Sequence, residues 1–358
     1  MAGLMSARTY RHHPPTALLD ALSGAQSLVC VGHVSPDADC LGAALALARA
    51  WSASTKRGAS IWVTERSIPA RLRFMFDIAK VRRAAEADLD ATERIAAVDT
   101  SQPSRADIPK SYSADWDDNH RILNIDHHFT NTCFGHIDWI VEDASSTCEL
   151  MYEILCALQF DIDPVVAALL YAGIYTDTGG FSLPNTTANA LHVAAELTQL
   201  GVSPSEIAER VDRSVGQPQF ELLKLIYQNT HTLSDGAIAY STISHDDLVK
   251  SGCSPSDIDD QVNVPRSMAG VAIAALFTEV EPGRVRINLR GESSTEVAGL
   301  AQQFGGGGHR QAAGVIFSGS LAAAVKGIIS AAVDMLSDQS KRSTISGEPR
   351  ETVEPTSH

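Results

Sequence analysis

Aspartates and histidines stand at four places in this sequence where their types and surroundings allow joint chemistry. The segment GHVSPDADCLG offers His33, Asp37 and Asp39; VDT offers Asp99; IDHH offers Asp126, His127 and His128; YTDTGG offers Asp177. Bringing ionised carboxylates together is unfavourable, since two like charges about 4 Å apart repel by about 4 kcal/mol at an effective dielectric near 20. Asp37, Asp39, Asp99 and Asp177 carry four negative charges between them, which two divalent cations would cancel. Taken singly, an aspartate at a strand end is a turn former or a helix cap. Only the four segments together, in order and each on a suitable element, point to a metal pair.

A second group lies near the other end. Gly305, Gly306, Gly307 and Gly308 run into His309 and Arg310, with Arg290 upstream in INLRGES and Arg266 in NVPRSM. Successive glycines let backbone N–H groups approach an anion, and arginine can take a phosphate with two parallel hydrogen bonds. Without a ligand the same glycines would read as a linker or tight turn, and Arg266 as an ordinary surface arginine.

The elements that must position these groups follow from pattern. Short apolar runs alternate with helical periodicity through the first half, which predicts βαβ units and a parallel sheet. Strands are expected at 27–33, 60–64, 95–98 and 122–125, and helices at 38–51, 146–158, 164–176, 187–200 and 217–231. Ser145-Ser146-Thr147 reads as a helix N-cap. Three of the four acidic segments then stand at the carboxyl ends of strands, where ligands gather in open parallel sheets. After the SDG turn at 234–236 the pattern changes to strands at 238–243, 271–277, 285–289 and 315–317, with helices at 295–303 and 321–337. The expected divisions are a flexible arm over 1–20, a catalytic domain over 21–200, a helical linker over 201–235, a second domain over 236–337 and a disordered tail over 338–358. The pair His12-His13, in that arm, is expected to be exposed.

Composition narrows the partners. Forty-three acidic residues against 28 basic give a net charge of -15, and no basic run offers a track for long nucleic acid. A nucleotide ligand should therefore be small and held by local devices. The six cysteines form no CxxC pair and read as free thiols in a reducing compartment. No apolar stretch is long enough for a signal peptide core or a membrane span, so a soluble cytoplasmic protein is expected.

In this order the four segments resemble motifs I to IV of the DHH phosphoesterase superfamily, with Asp126-His127-His128 as the triplet that names it. INLRGES and FGGGGHRQAAG resemble the DHHA1 domain. The fold implied is α/β, a parallel-sheet DHH domain with flanking helices plus a smaller mixed α/β DHHA1 domain. The similarity is greatest to the subfamily of bifunctional oligoribonucleases and pAp phosphatases, which includes hydrolases of cyclic dinucleotides. That resemblance implies a hydrolase of short oligoribonucleotides such as pApA, of pAp and of cyclic di-AMP, working as a homodimer. It implies two divalent ions, Mn²⁺ first with Mg²⁺ or Co²⁺ as substitutes, one held by His33, Asp37 and Asp99 and the other by Asp39, Asp99, His127 and Asp177. His128 would face the scissile phosphate, Asp126 would fix the histidines, and the substrate would be gripped by Arg290, Gly306, Gly307, Gly308, His309, Arg310 and Arg266.

Other readings compete. An inorganic pyrophosphatase or polyphosphatase of the same superfamily lacks the GGGGH run, and a RecJ-like exonuclease wants a basic channel and further modules. A non-catalytic cyclic-dinucleotide sensor would have lost ligands, whereas every ligand position here is filled.

Overall fold

Strand β1 (Leu28–Val31, LVCV) is apolar at every position and buried on both faces, as central strands of covered parallel sheets are. It pairs in parallel with β2 (Ala59–Trp62) and β4 (Arg94–Val98). With β3 (Arg82–Arg83), β5 (Ile122–Asp126) and β6 (Ile137–Ile140) these form one six-stranded parallel sheet of order β3-β2-β1-β4-β5-β6. The order reverses between β1 and β4, and a crevice at such a switch point is where open α/β sheets bind ligands. The structure, a computed structural model, describes residues 12–64, 68–108, 121–212, 216–253, 258–292 and 295–346.

Alternation along the strands divides two layers. Cys30, Ala96 and Val98 face a large helical core, while Val29, Val31, Ile95 and Ala97 face a smaller one that includes Leu89 of α4 (Glu86–Ala91). The large core is built by α1 (Thr16–Gly24), α2 (Ala38–Thr55), α3 (Arg73–Ala79), α5 (Thr147–Ala157), α6 (Pro164–Asp177), α7 (Ala188–Gln199) and α8 (Pro204–Asp212). Helix α2 is Ala- and Leu-rich and buried nearly all round, so it runs inside the layer rather than over it. Arg49 of α2 is tied at 2.7 Å to Asp163, the N-cap of α6.

The chain divides into two compact units between Val215 and Gly216. The second opens with α9 (Gln217–Gln228), followed by β7 (Thr230–Leu233), β8 (Ile238–Ile243), α10 (His245–Ser251) and the short α11 (Asn263–Arg266). Then come β9 (Ile273–Glu281), β10 (Arg284–Gly291), α12 (Ala298–Gln302), β11 (Gly307–His309), β12 (Ala312–Ser318) and α13 (Leu321–Ser346). Its mixed sheet has order β11-β12-β10-β9-β8-β7, in which only β8 and β9 pair in parallel. Along β9, Ile273, Ala275 and Phe277 face one core, and Ala274 and Leu276 another.

Several expectations change. The arm placed over 1–20 is helical from Thr16, because Leu18 and Leu22 are fully buried in the large core; residues 1–11 lie outside the described residues. His12 is not exposed, its side chain being 9% accessible beside Glu149. The stretch 201–235 is not one linker, since α8 belongs to the first unit while α9 and β7 belong to the second. Helix α13 runs to Ser346, past the expected start of the tail at 338, and 347–358 lie outside the described residues.

Candidate metal centre

β1 delivers His33 just past its end, and the turn after it starts α2. Asp37 is the N-cap of α2, its Oδ1 accepting the Cys40 N–H at 2.9 Å, and Oδ2 lies 3.8 Å from His33 Nε2. Asp39 sits in the first turn of the same helix, fully buried. Asp99 follows β4 directly, with a left-handed backbone at φ 53°. Asp126 ends β5, and His127 and His128 follow. Asp177 is the last residue of α6.

The six side chains expected as ligands meet. His33 Nε2 lies 3.4 Å from Asp99 Oδ2, while His127 Nε2 lies 3.6 Å from Asp99 Oδ1. Oδ2 of Asp99 thus faces His33, while Oδ1 faces His127 and also lies 3.6 Å from His128 Nδ1. His127 Nε2 is also 3.3 Å from Asp177 Oδ2 and 3.9 Å from Asp39 Oδ2. Ligand atoms of His33, Cys40 and Asp99, of Asp99, His127 and His128, and of Asp39, His127 and Asp177 lie within 4.8 Å of one another in each group. Cys40 is new in this list. Its Sγ accepts the His33 N–H at 3.3 Å, and it needs Gly32, where a Cβ would stand 2.1 Å from the sulfur.

The donor set fits divalent cations. His33 Nδ1 is 2.8 Å from the Val34 carbonyl and must donate to it, which leaves Nε2 as an acceptor in the neutral ring. That nitrogen faces carboxylate oxygens, acceptors themselves, so a cation or a proton belongs between them. His127 repeats the arrangement, with Nδ1 directed at the Ala144 carbonyl at 3.4 Å. Among the described residues, the ion pairs of Asp37, Asp39, Asp99 and Asp177 are all with histidine.

Proton affinities reflect this crowding. Burial, then the Asp99 and Asp37 charges, push the Asp39 carboxyl well above its usual range. Burial, then Asp39, Asp37 and Asp99, do the same to Asp177. Asp99 goes the other way, because the His33 hydrogen bond and the charges of His128, His33 and His127 outweigh its burial. His127 is lowered by burial and by His128. For His128, burial lowers it, but the hydrogen bond to Asp126 together with the charges of Asp126 and Asp99 raises it on balance.

His128 and Asp126 form a separate device. Asp126 Oδ1 receives His128 Nδ1 at 2.7 Å and the His127 N–H at 2.9 Å, and Asn131 donates to Oδ2 at 2.6 Å. Sequence reading missed the supports on α5. The amides of Thr147 and Cys148 donate to Asp39 at 2.7 and 2.8 Å, and the Thr147 hydroxyl donates to Asp99 at 3.0 Å. One signal was available. Gly173 lies inside the apolar helix α6, where glycine is unfavourable, because a Cβ there would meet Cys148 Sγ at 2.3 Å and Asp39 Oδ1 at 2.8 Å.

In the second unit the register aligns His309 with Ala312 and Ala312 with Arg290, so the three stand in one row across β11, β12 and β10. Arg290 is half-buried and donates to the Leu289 carbonyl. Arg310 is exposed, 3.7 Å from Glu296. Arg266 is bound to Glu292 in a short ion pair. Two of the glycines serve the fold: a Cβ on Gly306 would stand 2.2 Å from the Gly314 carbonyl oxygen, and one on Gly308 2.4 Å from that of Ala312. A Cβ on Gly307 would meet nothing within 4 Å.

Comparison with known proteins follows the same division. The model described as DHH family, N-terminal domain, matches residues 27–174, and the DHHA1 domain model matches 235–338. The bifunctional oligoribonuclease and PAP phosphatase NrnA of Thermus thermophilus is 30% identical over 288 residues, spanning 80% of this chain and 83% of that protein. The protein of the same name from Bacillus subtilis is 28% identical, spanning 84% and 92%. The crystal structure of an exopolyphosphatase-related protein from Bacteroides fragilis superposes with a TM-score of 0.79 at 25% identity, covering 88% of this chain and 96% of that one.

Proposed function

We propose, from the premise that this chain belongs to the DHH family of hydrolases and carries a DHHA1 domain, that it is a metal-dependent phosphodiesterase and phosphatase. Its substrates on this reading are oligoribonucleotides of a few residues, pApA and pAp, with cyclic di-AMP as a further one, and its products are mononucleotides. The observation that carries the reading is Asp99, whose Oδ2 faces His33 at 3.4 Å and whose Oδ1 faces His127 at 3.6 Å. A carboxylate so placed suits a bridge between two cations.

His33, Asp37 and Asp99 are assigned to one divalent ion, and Asp39, Asp99, His127 and Asp177 to the other. Oxygen and imidazole donors suit Mn²⁺, with Mg²⁺ or Co²⁺ able to replace it. Such a pair, when bound, supplies Lewis acidity toward phosphoryl oxygens and lowers the pKa of water. The chain's own residues do the rest. Asp126 fixes the His128 ring through Nδ1, so that Nε2 is the nitrogen assigned to a phosphoryl oxygen or to the leaving group. Arg290, His309 and the Gly306–Gly308 backbone are assigned to the remote nucleotide, with Arg310 and Arg266 in support; Gly307, whose lack of a side chain no neighbour demands, favours that role.

The net charge of -15 supports short substrates, because long polyanions are repelled at a distance. Names of two relatives, oligoribonuclease and PAP phosphatase, support the same class. No helix among the described residues is long and apolar enough to cross a membrane. A homodimer in the reducing cytoplasm completes the reading, in keeping with six free cysteines.

The test is product chromatography over pAp, two- to four-nucleotide RNA, pApA and cyclic di-AMP, with Mn²⁺, with Mg²⁺ and with chelator. AMP should appear from pApA and pAp only when a divalent ion is present. Release that persists in chelator, or none with any metal, refutes the proposal.

A further inference from the structure

Glu149 and Glu153 lie one turn apart on α5, 0% and 1% exposed. Buried carboxylates demand partners, and those of Glu149 lead toward the metal centre. Its Oε2 accepts the Ser145 N–H at 2.9 Å and its Oε1 the Asn189 amide at 2.6 Å; the same Asn189 nitrogen reaches Glu153 at 3.0 Å. His12 closes the other side, its backbone N–H on Glu153 at 3.1 Å and its Nε2 3.8 Å from Glu149 Oε1. The Ser145 carbonyl accepts from Asn185, which also donates to the Asp177 carbonyl at 3.0 Å. Both backbone groups of Ser145 are therefore tied. Two residues on, Thr147 hands its amide to Asp39 and its hydroxyl to Asp99.

We propose that Glu149, held by Asn189 and with His12 beside it, is a positioning residue for metal binding, which it serves by fixing the Ser145–Thr147 turn against Asp39, Asp99 and Asp177. The inference rests on the metal reading of those three aspartates. Its plainer rival is a helix cap. Ser146 and Glu149 have capping-box spacing, and Ser146 Oγ does accept the Glu149 N–H at 3.1 Å. A cap alone affects stability; a positioning residue also affects affinity for the ion.

Mn²⁺ alone is the probe, titrated into the full chain and followed by the electron paramagnetic resonance signal of the free ion, with melting curves in chelator alongside. Glu149→Ala should weaken Mn²⁺ binding about tenfold or more, whereas Glu149→Gln, whose amide oxygen can still accept from Ser145, should stay within about threefold of wild type. Asp163→Ala removes the cap at the far end of α6 and should lower the Tm with Mn²⁺ affinity unchanged. Asn189→Ala, which leaves the Ser145 bond but loosens the hold on Glu149, should fall between the two Glu149 variants and takes the place of Glu149→Ala should that chain not fold. Wild-type affinity in Glu149→Ala and Asn189→Ala, or Gln as weak as Ala, overturns the proposal. So does an affinity loss in Asp163→Ala that tracks its Tm. Failure of the wild-type chain to bind Mn²⁺ would instead overturn the metal reading itself.

Discussion

Asp177→Asn should stabilise the metal-free protein and remove its response to metal. The Asp177 side chain, 25% exposed, ends α6. A negative charge at a helix C-terminus is disfavoured by about 0.3–1 kcal/mol. Ligand atoms of Asp39 and Asp177 lie within 4.8 Å, where two unit charges repel by about 3–4 kcal/mol at an effective dielectric of 20. Proton uptake and His127 between them relieve part of that, which leaves a gain of about 1–2 kcal/mol for the amide. For a unit of this size that is about 2–8 °C in Tm.

The sign depends on pH. Because burial and neighbouring carboxylates raise the Asp177 carboxyl in the folded state, folding is unhindered below the unfolded pKa near 3.9 and loses stability as pH rises through the folded value. The Tm difference between variant and wild type, measured in chelator, should therefore be near zero at pH 4 and grow toward pH 8. Added Mn²⁺ at about a hundred times its Kd should stabilise wild type by about 2.7 kcal/mol, and the variant by much less. A variant that melts at or below the wild-type temperature at pH 8, or gains as much from Mn²⁺, refutes the reasoning.

Asp99→Asn keeps an acceptor for Thr147 and a residue type that tolerates the left-handed backbone, so the chain should fold, with kcat on pApA at least about a thousandfold lower in a steady-state assay. Gly306→Ala should cost about 1–3 kcal/mol in denaturant unfolding, because its Cβ would strike the Gly314 carbonyl. Gly307→Ala should leave the Tm unchanged and raise KM for pApA severalfold. His309→Ala should depress activity on dinucleotides far more than on a small artificial phosphodiester; equal loss on both would confine the glycine run to a fold role. Asp163→Ala should lose about 1–2 kcal/mol at pH 7. Burial alone would raise the Asp163 carboxyl, but the Arg49 hydrogen bond and charge together with the Val166 and Val165 amides lower it, so that stability is present above the unfolded pKa and lost as pH falls through the folded one, and the variant and wild type should converge in melts at acid pH.

The strands that carry the site were legible because each is an apolar run ending in a polar, chemically capable residue: LVCVGH, IAAVD and ILNID. The long helices were legible through periodicity. What escaped was short or faint. Strand β3 is only the exposed pair Arg82–Arg83 on the sheet edge, and β11 is mostly glycine. Helix α1 begins after two prolines, where three leucines were too few to set a period. At the site, side chains that could hold a metal announce themselves by type, but backbone donors do not. The amides of Thr147 and Cys148 have no residue signature, and the Ser145-Ser146-Thr147 cluster told of a cap without telling what the capped helix would point at.

What it points at explains how such a cluster persists. Asp39 is satisfied by two amides, Asp37 by the Cys40 amide, and Asp99 by a hydroxyl as well as its histidines. These donors meet the hydrogen-bonding demand of buried oxygens and fix their positions, but they leave the negative charge in place. A lysine or arginine would have cancelled it permanently, and with it any affinity for a cation. Amides and a hydroxyl separate the two requirements, so geometry is set by the fold and the charge that the histidines do not offset is left to ions from solution. It follows that metal binding and folding stability must be linked through these carboxylates, and that removing the charge of Asp39 or Asp177, the two that burial and like charges raise, should gain stability as it loses the metal. That linkage is the opposite of what a cluster of merely structural aspartates would give.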